Sequence, residues 1–425
     1  MALDPRRRLA DRVYYGWVVV VACFLASMAT FGSTYAFGVF YDSLLETFDA
    51  SRTALAAAFG LQTALIYVAG VGAGRVVETQ GGRRVAAGSG ALLAGGLAWT
   101  AVARSYAELL VAFGVVAATG MAGLYVVGYA TVPRWFGRRR GTAVGVASAG
   151  LGVGLVAVPA AADRLIAAVG WRPAMAALAA TVGVVAALVA LLFADDPADV
   201  GAEAGERAEF SSTGAGGDLS PSGVAPDAGT TLRSPAFLLV TAGWILTFAP
   251  LYVVLSHVVL HASDAGLGRA VGVAAITTLG LATTVTRFGI GALSDRVGRT
   301  RTFVLCAALM GAATAGFAVA SGRATFLAVA VAFGVAYGGC GGLLGAQIAD
   351  LFGEGALTTL FPVASLSFGV AGLAAPPAAG AAFEALGSYD PVLLAGGAAG
   401  LTGAGCVALA GRLAGGGEER MRAPD

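Results

Sequence analysis

The stretch TRFGIGALSDRVGRTR, residues 286–301, sets Arg287 inside an apolar run, and a dense charged patch begins eight residues later at Asp295. A helix rises about 1.5 Å per residue, so Arg287 would lie roughly 12 Å from that patch. Stretching toward the loop does not comfortably bring it to water. A charged side chain near the middle of a bilayer is costly and faces a cavity or a partner. No interior Asp or Glu is evident to pair with it. A planar guanidinium offers forked donors that match a carboxylate bidentately. Arg287 therefore points to the holding of an anionic small molecule. The alternative is an arginine that caps backbone carbonyls or snorkels inward.

Other residues in apolar runs could share that site. His257 and His261 are the only histidines. Histidine titrates in the working pH range, so His257 is a candidate for coupling or substrate contact, or else a hydrogen-bonded structural residue. Tyr35, Tyr125, Tyr129 and Tyr337 each offer an apolar wall with one polar tip, for a pocket or for packing. Cys23, Cys306, Cys340 and Cys406 stand singly, with no CxxC or Cys/His ligand spacing, and read as small buried hydrophobes. No HExxH or GxSxG cluster sits in a helix, and no GxxxxGK(S/T) occurs, so neither an enzyme nor direct ATP drive is expected. GVGAGR and GLGVG lie inside membrane-type runs and are discounted as dinucleotide sites. No cofactor and no metal are expected.

The chain that positions these residues is suited to lipid. Of 425 residues, 57% are hydrophobic and 12% charged, against about 45–50% and about 25% in a soluble domain. Its 64 glycines show no three-residue period, which excludes collagen. Twelve apolar segments fall at 14–41, 54–76, 85–103, 107–132, 141–167, 173–194, 235–261, 269–293, 302–321, 324–349, 357–383 and 391–413. They have the length of membrane spans, and their Gly and Ala suit close helix packing in lipid. MALDPRRRLADR resembles a signal-peptide n-region, but the run after it is too long for an h-region, so a retained helix is expected. The net charge of +1 gives no support to a nucleic-acid partner.

Every basic residue is arginine. Most of them collect on one side: Arg6, Arg7, Arg8 and Arg12; Arg75, Arg83 and Arg84; Arg134, Arg138, Arg139 and Arg140; Arg296, Arg299 and Arg301; Arg412, Arg420 and Arg422. The other side has Arg52, Arg104, Arg164, Arg172, Arg269 and Arg323. The positive-inside rule then places both termini in the cytoplasm. Residues 195–234 are acidic and rich in Gly, Ser, Pro and Asp, too poor in apolar anchors to fold. The expected plan is an N-terminal six-helix bundle (1–194), a disordered cytoplasmic linker (195–234), a C-terminal six-helix bundle (235–413) and a cytoplasmic tail (414–425).

The halves repeat. GRVVETQGGRR (74–84) and GALSDRVGRTR (291–301) share Gly74/Gly291, Glu78/Asp295, Gly81/Gly298 and Arg84/Arg301 at an offset of 217 residues. WFGR (135–138) and LFGE (351–354) match at 216, and AVGWRP and ALGSYDP align through Gly170 and Gly387, again at 217. Two homologous halves explain the constant offset and are typical of secondary transporters. An acid and several arginines at helix ends, including Arg296 and Arg299, can pair and lock one conformation, or simply set topology.

GALSDRVGRTR resembles the signature of the major facilitator superfamily between helices 2 and 3, repeated here between helices 8 and 9. The first copy is degenerate, with Glu78 for the usual Asp and Thr79 for a basic residue. A narrower resemblance, to the monocarboxylate transporter and oxalate/formate antiporter branch, rests on YYGWVVVVACF with YAFGVFYDSL, WFGRRRGTAVGVASAGLGVG followed by GWRPA, and LSHVVLHASDAGL. The resemblance implies an all-α membrane protein with twelve transmembrane helices in two pseudo-symmetric six-helix bundles, rocking about a central site. It implies that Arg287 holds a substrate carboxylate and that Tyr35 and Tyr125 are pocket tyrosines. Thr283 stands where some relatives carry a proton-linked acid, and Phe368 lies in the stretch where oxalate exchangers have a second cation. One cation favours a monocarboxylate over a dianion.

The expectation is a monomeric plasma-membrane transporter of a small organic anion, with lipid and protons as its other partners, driven by proton symport or exchange. Rival readings are an exporter of amphipathic or drug-like compounds by the same fold, and a carboxylate-sensing membrane receptor.

Overall fold

The computed structural model describes residues 14–136, 140–195, 200, 228–353 and 357–422. Arg6, Arg7, Arg8, Arg12, Arg138 and Arg139, most of the expected linker and the last three residues lie outside these. Among the described residues there is no strand. Within the described residues twelve helices are long and apolar enough to cross a membrane. These are α1 (Tyr15–Phe48), α2 (Arg52–Gln80), α3 (Gly82–Val102), α4 (106–130, passing through a π-helical turn at Ala112–Ala117), α5 (Arg140–Val169) and α6 (Trp171–Leu192). After them come α7 (Pro235–Asp264), α8 (Arg269–Val297), α9 (Arg299–Val319), α10 (Arg323–Phe352), α11 (Leu357–Leu386) and α12 (Asp390–Arg422). Short helical segments at Val132–Trp135 and Ala228–Leu232 precede α5 and α7.

The helices outrun the apolar segments at their polar ends. α1 continues past residue 41 to Phe48. Hydropathy marks the part suited to lipid, whereas a helix continues while its backbone bonds can be made. α1 stops at Asp49, which takes a left-handed φ of 46°, and Ser51 then accepts the Ala54 N–H at 3.1 Å. α7 starts sharply because Ser234 accepts the Phe237 N–H at 3.2 Å and Pro235 follows at the first helical position.

The glycines that reveal the repeat sit at equivalent corners. Gly81 (φ 84°) and Gly298 (φ 97°) separate α2 from α3 and α8 from α9. Each donates back four residues, Gly81 to Val77 at 3.0 Å and Gly298 to Ser294 at 2.8 Å. Gly170 (φ 84°) and Gly387 (φ 72°) do the same, to Ile166 at 2.9 Å and Phe383 at 2.8 Å. A positive φ strains any side chain with a Cβ.

Contacts divide the chain into two compact units. The first holds the described residues of Met1–Ala36 and Val68–Ser220, and the second those of Phe37–Tyr67 and Pro221–Asp425. α1 and α2 are each shared, the start of α1 and the end of α2 lying in the first unit. Inside the first unit α3 packs on α4 and α6, and α5 meets α1 closely: a Cβ at Gly154 would lie 2.7 Å from the Met28 carbonyl. Inside the second, α8 packs on α10, α9 on α12, and α7 on α11 and α12.

Candidate functional site

In the second unit, glycines let α10 press against α8. A Cβ at Gly338 would lie 2.7 Å from the Thr283 carbonyl, and one at Gly334 would strike the Leu279 carbonyl. Thr283, buried one turn before Arg287, donates to the Gly334 carbonyl at 3.0 Å. It thus serves the α8–α10 seam. The same approach brings Arg287 onto α10. Its guanidinium carbon lies 5.7 Å from the centre of the Tyr337 ring, within cation–π range. A Cβ at Gly341 would stand 2.5 Å from Arg287 Nη2. The Arg287 Nε is buried without a hydrogen-bond partner. No carboxylate among the described residues pairs with Arg287. An aromatic face and a glycine gap hold the cation, and its Nε has no partner within the protein.

The other predicted site residues fall in several places. Tyr35 and Tyr125 belong to the first unit, where they flank Phe31: Tyr35 stacks on it at 5.8 Å and Tyr125 meets it edge-on at 6.0 Å. The side chain of Tyr129 lies outside the described residues. His257, fully buried in α7, is engaged at both ring nitrogens. Nε2 lies 3.1 Å from the Pro376 carbonyl, and Nδ1 lies 3.1 Å from the Tyr389 hydroxyl. Phe368 stacks on Trp244 at 5.5 Å, meets Phe248 edge-on and packs against Tyr67 at a tilt, so its stretch of α11 supplies an aromatic wall and no charge.

The charged signature is built differently in its two copies. In the second, Arg299 bonds Asp350 at the end of α10 at 2.8 Å and also lies 3.7 Å from Asp295, while Arg296 and Arg301 are exposed and Gly291 faces open space. In the first, Glu78 and Arg84 are exposed, and a Cβ at Gly74 would meet nothing. The N-terminus of α3 is met instead by Asp195, whose carboxylate accepts from Gly82 N at 2.5 Å and Arg83 N at 3.4 Å. Arg83 also donates to the Ala190 carbonyl at 2.9 Å. An anion at a helix N-terminus is favourable. Asp195 is thus tied to α3 at the very start of the stretch expected to be linker.

Sequence reasoning missed Asp195 and Asp350, which lie far along the chain from the arginines and N–H groups they bind. It also missed Gln347. This residue is buried in α10, accepts from Trp244 Nε1 at 2.9 Å, and leaves its own Nε2 without a partner. Its signal was an amide inside an apolar run.

Residues 23–376 match the Major Facilitator Superfamily. The chain belongs to that superfamily. Among curated relatives of this facilitator, the MFS transporter asaE of Aspergillus flavus is 28% identical over 403 residues, covering 90% of this chain and 85% of its own. Monocarboxylate transporter 13 of Rattus norvegicus is 26% identical over 397 residues, 92% of this chain and 88% of its own. Monocarboxylate transporter 11 of Mus musculus is 26% identical over 393 residues, 89% and 84%. The facilitator family and its twelve apolar helices make this a multi-pass membrane transporter.

Proposed function

We propose that this transporter moves a small organic monocarboxylate, of the lactate, pyruvate or formate kind, across the cell membrane by alternating access. Arg287 carries the reading: a guanidinium inside a membrane helix, its Nε buried and unpartnered, backed by Tyr337. The names of two full-length relatives agree with a monocarboxylate. Arg287 as the single cation well inside a span among the described residues, with Phe368 built into an aromatic wall, favours one carboxylate over two. Tyr337 would orient the guanidinium; Tyr35 and Tyr125, which the sequence resemblance marks as pocket tyrosines, belong to the first unit. The arginine distribution supports cytoplasmic termini. Arg299, Asp295 and Asp350 would then form a cytoplasmic gate contact. A proton gradient or anion exchange would supply the energy.

The test is uptake of radiolabelled lactate, pyruvate, formate and oxalate into proteoliposomes, for wild type and Arg287→Ala, with and without an inward proton gradient. Uptake of a monocarboxylate that the substitution abolishes supports the reading. A folded wild type that takes up none of these acids overturns it.

A further inference from the structure

The end of the second unit that carries the α1–α2, α7–α8 and α11–α12 turns holds a connected set of polar bonds. Arg52, the first residue of α2, grips Asp264 at the end of α7 with both terminal nitrogens, at 2.5 and 3.1 Å. The same guanidinium lies 3.8 Å over the Phe383 ring of α11 and donates from Nη1 to the Tyr389 hydroxyl at 3.2 Å. Beside it, Glu384 of α11 accepts from Thr53 N and Oγ1, both at 2.9 Å. Arg269 of α8 donates to Asp42 of α1 at 2.7 Å and to the Val39 carbonyl at 2.5 Å. Beneath these bonds the backbones touch at glycines. A Cβ at Gly38 would lie 2.7 Å from the Leu255 carbonyl, and one at Gly60 would lie 2.9 Å from the Gly372 carbonyl.

One chain of bonds runs inward from this surface, and its direction is fixed. The Pro376 carbonyl can only accept, so His257 Nε2 carries the proton there. In a neutral imidazole Nδ1 is then an acceptor, and the Tyr389 hydroxyl must donate to it. That leaves the Tyr389 oxygen to accept from Arg52. The sequence of donors is Arg52 to Tyr389 to His257 to Pro376, every group with a role. A second proton on His257 would set a donor against the Tyr389 hydroxyl proton. It would also place a second cation within two bonds of Arg52. The groups facing His257 are Tyr41 from α1, with ring centres 5.4 Å apart, Tyr389 ahead of α12, Arg52 of α2 through Tyr389, and His261 on α7 itself. His261 is bonded to the Phe317 carbonyl at 3.0 Å. Among the described residues no carboxylate touches His257, for Asp264 is held by Arg52 and Glu384 by Thr53. A cavity of about 10 Å³ between His257, His261, Phe317 and Tyr389 is about the room one water needs.

We infer that Arg52, Tyr389 and His257 form an outer latch of the transport cycle, and that protonation of His257 releases it. The inference rests on the transport reading above, including its orientation. Proton and closed latch exclude one another, so by reciprocity acid outside favours opening, and closure returns a neutral histidine. His257 is thereby the residue through which a proton acts on the cycle, while Arg287 holds the anion.

The experiment places spin labels at Glu46, near the end of α1, and Ala265, just after α7, both exposed, with the four native cysteines replaced. Distances are read by double electron–electron resonance in lipid nanodiscs at about pH 8 and about pH 5, spanning the ordinary histidine range. In the otherwise native chain the longer separation should gain population toward acid, by at most about tenfold per pH unit, the limit for one proton. His257→Gln should hold the short separation at both values. Arg52→Gln should give the longer one at both. An unchanged distance in the otherwise native chain, or a pH response that survives His257→Gln, overturns the latch. The readout needs no substrate. The expected response in a protein that carries no carboxylate flux keeps the latch and removes only the monocarboxylate reading.

Discussion

The Arg287 guanidinium occupies the space that a side chain at Gly341 would need. A Cβ there would stand 2.5 Å from Nη2, the far end of a flexible side chain. Gly341→Ala should therefore fold, because the arginine can swing aside, yet the anchor would be displaced. We expect KM for the carboxylate to rise about tenfold, equivalent to about 1.4 kcal/mol, with an unchanged melting temperature. Gly338→Ala is the contrast. Its Cβ would lie 2.7 Å from the Thr283 backbone carbonyl, which cannot swing aside, so it should lower stability by about 1–3 kcal/mol. Uptake kinetics beside thermal unfolding in detergent separate the two outcomes.

Arg287→Lys keeps the charge and removes the fork. A lysine in this place would offer one point donor where a carboxylate takes two parallel bonds. Loss of one charged hydrogen bond, about 1.5–3 kcal/mol, predicts a fall in kcat/KM of roughly tenfold to a hundredfold. Activity equal to wild type in reconstituted vesicles would show that charge alone suffices and that bidentate geometry plays no part.

Much of this arrangement was legible in the sequence, for identifiable reasons. Spans were readable because bilayer thickness imposes a minimum apolar length. The corners were readable because Gly81/Gly298 and Gly170/Gly387 are places where the backbone takes a positive φ, and the same need recurs in each half. Arg287 was readable because a charge in an apolar run is conspicuous. The partners were not. Asp195, Asp350 and Tyr389 lie at or beyond helix ends where acids and tyrosines are ordinary, and only tertiary packing selects them. His257 was conspicuous as one of two histidines, but its partners, a proline carbonyl in α11 and a tyrosine before α12, leave no mark in its own neighbourhood.

Asp195→Asn and Asp350→Asn should behave differently although both remove one charge. Asp195 satisfies the first N–H groups of α3, and its loss should cost about 1 kcal/mol of stability. The Arg299–Asp350 pair is open to solvent, with about 40% and 39% of the side chains exposed. Such pairs contribute about 0–1 kcal/mol. Asp350→Asn should leave the melting temperature nearly unchanged and alter the turnover rate. A large loss of stability with unchanged turnover would assign Asp350 to structure and remove it from gating.

Tyr389 supplies a prediction with a defined pH window. Burial pushes its phenol from an ordinary 10.0 up to about 12, with the Arg52 charge pulling the other way. A raised pKa means that the folded state favours the protonated phenol. Stability tied to it is full below about pH 10 and is lost as pH rises toward about 12. Across about pH 5 to 8 Tyr389 therefore keeps its proton and remains the donor to His257. Its removal should act on the latch without adding a titration of its own. Tyr389→Phe should move the Glu46–Ala265 distance distribution toward the longer separation at about pH 8 and weaken its pH dependence, because the hydroxyl that a second imidazole proton would oppose is gone. An effect of Tyr389→Phe confined to the acid end would show that the phenol and the imidazole titrate as a pair, and the relay would then have to carry the proton through Tyr389 itself.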